Sequence, residues 1–137
     1  MTIDKICKEY GIKNYTINDD GSIDVDDVVD LSYEGLTELP LRFNKVTGYF
    51  NCFDNKLTSL KGSPKWVGGY FSCEDNLLTS LEFSPDYIEM DFLCNDNRLT
   101  SLVGSPKHVG GDFVCSDNED LNNITGCTEK IGKYFFL

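Results

Sequence analysis

The residues of this chain with the most chemical potential are its cysteines, and four of them, Cys52, Cys73, Cys94 and Cys115, recur at intervals of 21 residues. Thiols in that number invite three readings: a metal site, a disulfide framework, or a column of small apolar groups in a core. A metal site needs ligands that converge, yet no CxxC pair occurs and His108 is the single histidine. Leu31 and Leu137 stand at the equivalent position before the first and after the last of the four. A position that exchanges Cys for Leu is apolar, so the column is expected to be buried. Stacked strands lie about 4.8 Å apart, near bridging distance, but a reducing compartment leaves such thiols free.

Carboxylates form the second candidate set. Asp54, Asp75, Asp96 and Asp117 make a column one place before Asn55, Asn76, Asn97 and Asn118. Two like charges about 5 Å apart in bulk water repel by roughly 0.8 kcal/mol, and by less in salt, so such a row is tolerable. These carboxylates are expected to accept backbone hydrogen bonds where the chain leaves a strand. They lie in rows and do not converge, no Ser, His and Asp spacing suggests a triad, and no phosphate-cradling loop opens a helix. The chain is therefore expected to be no enzyme and to need no cofactor or metal. Between Asp19 and Asp27 the sequence partly resembles a calcium loop, with Asn18, Asp20, Gly21, Ile23, Asp24 and Asp27 in acceptable places. Thr16 stands where the first Asp belongs, Asp27 replaces the bidentate Glu, and flanking helices are lacking. YTIN and SIDV around Asp19-Asp20-Gly21 read instead as a β-hairpin.

The element that positions all these columns is the stretch Phe50 to Leu60 and its repeats. Phe50, Phe71, Phe92 and Phe113 precede each Cys by two residues, the spacing of side chains on one face of a strand. Leu57, Leu78 and Leu99, then Leu60, Leu81 and Leu102, then Pro64, Pro85 and Pro106, then Val67, Ile88 and Val109 complete the unit. Self-similarity at this period means a solenoid, in which each unit buries its apolar face only against its neighbours. The fold class expected is a leucine-rich-repeat-like repeat solenoid with a parallel β-sheet of about six short strands and mostly irregular returns. The Asn column reads as a buried ladder that satisfies backbone groups in its own coil and the next. Gly68-Gly69 and Gly110-Gly111 read as bends, while coil three carries Glu89-Met90 there, and Phe83 where Gly62 and Gly104 stand.

At the other end of the chain, Ile3, Ile6, Cys7 and Tyr10 recur at helical spacing between a Thr2 cap and a Gly11 stop. Residues 1 to 28 are accordingly read as a helix and hairpin cap, and residues 29 to 137 as one continuous solenoid. The first coil is degenerate, with Val29, Leu31, Leu36, Leu39, Phe43 and Val46 as core and Glu34 in the Asn column. One extra residue near Glu119-Asp120 shifts Leu121, Ile124 and Ile131 by one place.

The formal charge of −11, from 23 acidic and 12 basic residues, disfavours nucleic acid and anionic membrane as direct partners. No signal-peptide-like or membrane-spanning run is evident, so a soluble intracellular protein is expected. In the strands, residues between the inward Phe and Cys point outward, which puts Asn51, Ser72, Leu93, Val114 and Phe136 in one column. Tyr49 and Tyr70 flank it on one side and Phe53, Glu74, Asn95 and Ser116 on the other. Tyr49, Asn51, Phe53, Tyr70, Ser72, Glu74, Leu93 and Val114 are the expected partner-binding residues, because exposed apolar groups in a row mark interfaces. A stripe of Trp66, Tyr87 and His108 is the rival surface, with stacking between coils as its plainer explanation. The final strand, Tyr134 to Leu137, is expected to pair two copies into a homodimer.

Laid out in this way, the segment from Tyr15 to Gly126 resembles the short leucine-rich-repeat proteins encoded by tailed bacteriophages. The shared features are a DGSIDV opening, a VDLS…LTELP first coil and tandem F-x-C-x-x-N-x-L-x-x-L-x-G-x-P units. The resemblance implies a small accessory protein of the infected bacterial cytoplasm that binds host proteins, defence systems among them, and it brings no catalytic residues. Two other readings stand beside it: an acidic decoy that occupies the nucleic-acid-binding groove of a host protein, and a passive structural component.

Overall fold

A computed structural model describes all residues, 1 to 137. Helix α1 spans Ile3–Glu9 and starts where Thr2 accepts the Lys5 amide on its hydroxyl at 3.2 Å. Cys7 is wholly buried, and Ile3, Ile6 and Tyr10 pack on the same core, so the helix lays its apolar face on the first coil. Strands β1 (Tyr15–Ile17) and β2 (Ile23–Val25) then form an antiparallel hairpin around Asp19-Asp20-Gly21.

From there each coil contributes two short strands. They are β3 (Val29–Asp30) and β4 (Phe43–Val46), β5 (Phe50–Asn51) and β6 (Trp66–Val67), β7 (Phe71–Ser72) and β8 (Tyr87–Ile88), β9 (Phe92–Leu93) and β10 (His108–Val109), and β11 (Phe113–Val114) and β12 (Lys130–Ile131), with β13 (Phe135–Phe136) last. Odd-numbered strands from β3 to β13 stack in parallel as the six-stranded sheet that the Phe and Cys columns foretell. The even-numbered strands, with β1 at the edge, build a second sheet of seven, into which the hairpin feeds through β2 paired parallel to β4. The returns are thus less irregular than their sequence suggests. Val67 and Phe71 are four residues apart because they belong to different sheets and the residues between them turn the corner.

Phe50, Phe71, Phe92 and Phe113 are fully buried, together with Leu57, Leu60, Leu78, Leu81, Leu99 and Leu102. Each such side chain contributes about 1.5 to 3 kcal/mol by leaving water. Two-residue strands cannot stand alone, so this stabilisation exists only once coils stack. Neighbouring phenylalanine rings meet at centroid distances of 5.3, 5.8 and 4.9 Å up the array. At the corners the glycine pairs serve close approach of the backbone, not a left-handed bend. A Cβ on Gly69 would lie 2.7 Å from the Tyr49 amide nitrogen of the coil before.

Candidate interaction surface

The outward face of the six-stranded sheet carries Asp30, Asn51, Ser72, Leu93, Val114 and Phe136 in register, one from each strand. Stacking of the coils brings Tyr49 onto Tyr70, with ring centroids 4.8 Å apart and planes 10° from parallel. Burial, then the neighbouring Tyr49, Asp30 and Glu74, push the Tyr70 hydroxyl above its ordinary pKa. Phe53 is half-buried, its backbone N–H donating to Asn51 Oδ1 at 3.0 Å, and its ring meets Tyr33 edge-on at 5.3 Å. Tyr33 stands 69% exposed and extends the aromatic patch by one residue that the column reading overlooks. Its signal was its place 21 residues before Asp54, where it is the one aromatic member of an acidic column.

The other expected contact residues fall into two kinds. Leu93 and Val114 are half-buried and continue the apolar row toward Phe136, which is 46% exposed. Ser72 lies beneath its neighbours at 3% exposure and its hydroxyl donates to Glu74 Oε1 at 3.2 Å, so it floors the surface without presenting one. The other oxygen of Glu74 accepts from Asn95 Nδ2 at 3.2 Å, which ties the polar column across two coils.

Asp54, Asp75, Asp96 and Asp117 have a different cause from the one expected. All four hold φ between +53° and +56°, the left-handed region that Asp and Asn tolerate best among residues with a side chain. Their backbone sets their identity. No carboxylate of this column accepts a backbone hydrogen bond; Asp96 takes one only from the Asn95 side chain, at 3.0 Å. With Glu119 and Asp120, three of them line an acidic groove beside Asn76 and Asn97.

On the seven-stranded sheet the stripe of Trp66, Tyr87 and His108 is a stack. Trp66 and Tyr87 lie 5.9 Å apart, Tyr87 and His108 4.4 Å, both pairs 3° from parallel, and Lys45 Nζ sits 4.8 Å over the indole. Ring faces are spent on one another, leaving edges to solvent. Tyr87 donates to Glu89 Oε2 at 3.0 Å, which raises its hydroxyl pKa.

Chemistry at the remaining candidates is quenched by their surroundings. Cys52, Cys73 and Cys94 are fully buried and Cys115 nearly so, each thiol donating to a carbonyl of the following coil, as Cys52 Sγ does to Ser72 O at 3.1 Å. Burial pushes the Cys52 thiol up to about 12 and the Cys115 thiol up to about 11. In the hairpin, Asp20 accepts the Ser22 amide and hydroxyl, Asp24 accepts from Asn18 and Asn44, and Asp27 accepts from Asn14. These carboxylates face separate donors and do not converge on a point. No protein-family model, no curated protein and no solved structure matches the chain.

Proposed function

We propose that the protein is a non-enzymatic interaction module whose six-stranded face binds another protein. The observation that carries this reading is the Tyr49 and Tyr70 stack beside the Phe53 and Tyr33 pair, continued by Leu93 and Val114. Large rings already ordered by contact with each other lose little freedom on binding, which is why such side chains dominate interface energetics. The resemblance of the repeats to phage leucine-rich-repeat proteins supports a narrower form. In it the protein is a phage accessory factor acting in the cytoplasm of the infected bacterium, where it inhibits or redirects a host protein, with a defence protein as the foremost class.

A second reading is supported by the acidic groove of Asp75, Asp96, Asp117, Glu119 and Asp120: the protein acts as a decoy in a nucleic-acid-binding groove. Affinity capture from a bacterial lysate, followed by washes of rising salt, tests both. An aromatic interface should hold its partner in about 1 M salt, where charges are screened beyond about 3 Å. Steep release with salt, or a partner retained by the Tyr70→Ala protein, would overturn the leading reading.

A further inference from the structure

Where the chain enters the seven-stranded sheet, the corners of the first three coils and the hairpin turn line a half-open cavity of about 480 Å³. Arg42, Lys61 and Lys65 all line it, three of only 12 basic residues in a chain of net charge −11. Two carboxylates, Asp20 and Asp86, share the walls, so three cations face two anions there. Asp20 Oδ1 accepts the Ser22 amide and hydroxyl at 2.9 and 2.6 Å, and Asp86 meets Lys107 at 3.9 Å, the one ion pair of the molecule. Arg42 donates to the Asp20 backbone carbonyl, and neither Lys61 nor Lys65 has a carboxylate within pairing distance.

Two further residues of the lining are unusual. Ser63 lines it, is only 9% exposed, and its Oγ is the one buried side-chain polar atom without a hydrogen-bond partner. Its counterparts in the next coils are satisfied, Ser84 donating to Gly104 O at 2.5 Å and Ser105 to Leu102 O at 2.6 Å. The Ser63 hydroxyl alone of the three has no acceptor in the protein, and a turn about its Cα–Cβ bond can present it to a ligand in the cavity. At the mouth stands Phe83, 58% exposed, with φ +69° where Gly62 and Gly104 adopt +96° and +90°. A bulky residue in the left-handed region, turned to solvent, is held against both its backbone preference and its hydrophobicity.

We propose that this cavity binds a small phosphate monoester with a flat apolar body. Arg42, Lys61 and Lys65 neutralise the phosphoryl group, the Ser63 hydroxyl donates to one of its oxygens, and Phe83 lies against the body. A phosphate monoester carries about −1.5 to −2 charges near neutral pH, which suits the unpaired Lys61 and Lys65 with Arg42 beside them better than a single carboxylate does. The acidic remainder of the molecule does not forbid this, because charges beyond about 8 Å are largely screened at physiological ionic strength.

Titration calorimetry of the intact protein with adenosine monophosphate, inorganic phosphate and adenosine tests the proposal. Adenosine monophosphate should bind tightest and adenosine weakest. Lys61→Ala with Lys65→Ala should weaken it by about tenfold or more, as expected for lost charge-assisted hydrogen bonds. Ser63→Ala should weaken it by a smaller factor. Phe83→Gly keeps the fold, since glycine occupies this position in both neighbouring coils, and should remove the preference of the nucleotide over inorganic phosphate. Heats no larger for the nucleotide than for adenosine, or an affinity unchanged by the double lysine variant, would overturn it.

Discussion

The side-chain amide of Asn76 donates to the carbonyl of Cys52 in the coil before it at 3.0 Å and to that of Cys73 in its own coil at 3.2 Å. Its Oδ1 accepts the Leu57 amide of the same preceding coil at 2.9 Å. One side chain therefore closes backbone groups that two successive turns would leave unpaired. Asn97 and Asn118 repeat the pattern, each reaching back one coil to Cys73 or Cys94. The ladder runs toward the N-terminal neighbour, opposite to the direction expected from sequence, and the cysteine thiols reach forward to the next coil. Together they clamp each coil from both sides.

Asn76→Ala should thus destabilise the protein by about 1 to 3 kcal/mol, the cost of buried backbone groups left without partners. Asn51→Ala should cost less, because Asn51 is half-exposed and its side chain accepts one local amide, that of Phe53. Urea midpoints of the two variants provide the check. Equal shifts would mean that the ladder contributes no more than a surface contact.

The aspartate column gives a prediction that separates charge from conformation. If the left-handed backbone selects Asp75, then Asp75→Asn and Asp75→Gly should leave stability nearly unchanged, the asparagine even relieving some repulsion. Asp75→Leu should cost about 1 kcal/mol from Cβ strain. Thermal midpoints of the three variants measure this; equal losses in all three would show that the carboxylate itself matters.

How much of this was legible beforehand follows from what periodicity can encode. The Phe and Cys columns stand two residues apart, so the strand period shows directly and the six-stranded sheet could be read from it. Trp66–Val67 and its counterparts put one residue in and one out, too few for alternation to register, so the second sheet passed for irregular return. A lattice also looks alike in both directions, which is why the Asn column could be placed but not pointed. The charge of Asp54 is visible in its letter, whereas its φ of +53° is not. Of the surface, the rows were foreseeable from the pleat. The burial of Ser72 and the meeting of Phe53 with Tyr33 depend on side chains from adjacent coils.

The cysteine column should make the protein sensitive to alkali. In the folded state burial raises these thiols from their ordinary value near 9.0, to about 12 for Cys52 and about 11 for Cys115, so folding favours the neutral form. Their stabilisation is complete below the unfolded pKa and is lost as pH rises through that window. Each fully buried thiol weakens folding by up to about 1.4 kcal/mol per pH unit there. Thermal midpoints should fall steeply above about pH 9, and Cys94→Ala should reduce the slope. At neutral pH a maleimide should modify Cys127, which is half-buried, well before Cys73 and Cys94. Rapid native labelling of those two would contradict the burial of the column.

The last prediction concerns which sheet a partner meets. Tyr70 and Leu93 lie on the six-stranded face, Trp66 on the seven-stranded one, and the three are comparable in being half-buried. Tyr70 is also stacked on Tyr49 and Trp66 on Tyr87, so truncating either loses a similar internal contact and a loss of fold cannot mimic selectivity. Trp66 already has Lys45 over its ring and Tyr87 beside it, whereas the Leu93 and Val114 row ends on partly exposed carbon. Tyr70→Ala and Leu93→Asp should therefore each abolish capture of a partner, a loss of about 2 kcal/mol or more typical of a central anchor, while Trp66→Ala retains it. Circular dichroism of all three variants controls for folding. Binding lost with Trp66→Ala and kept with the other two would transfer the interface to the seven-stranded sheet.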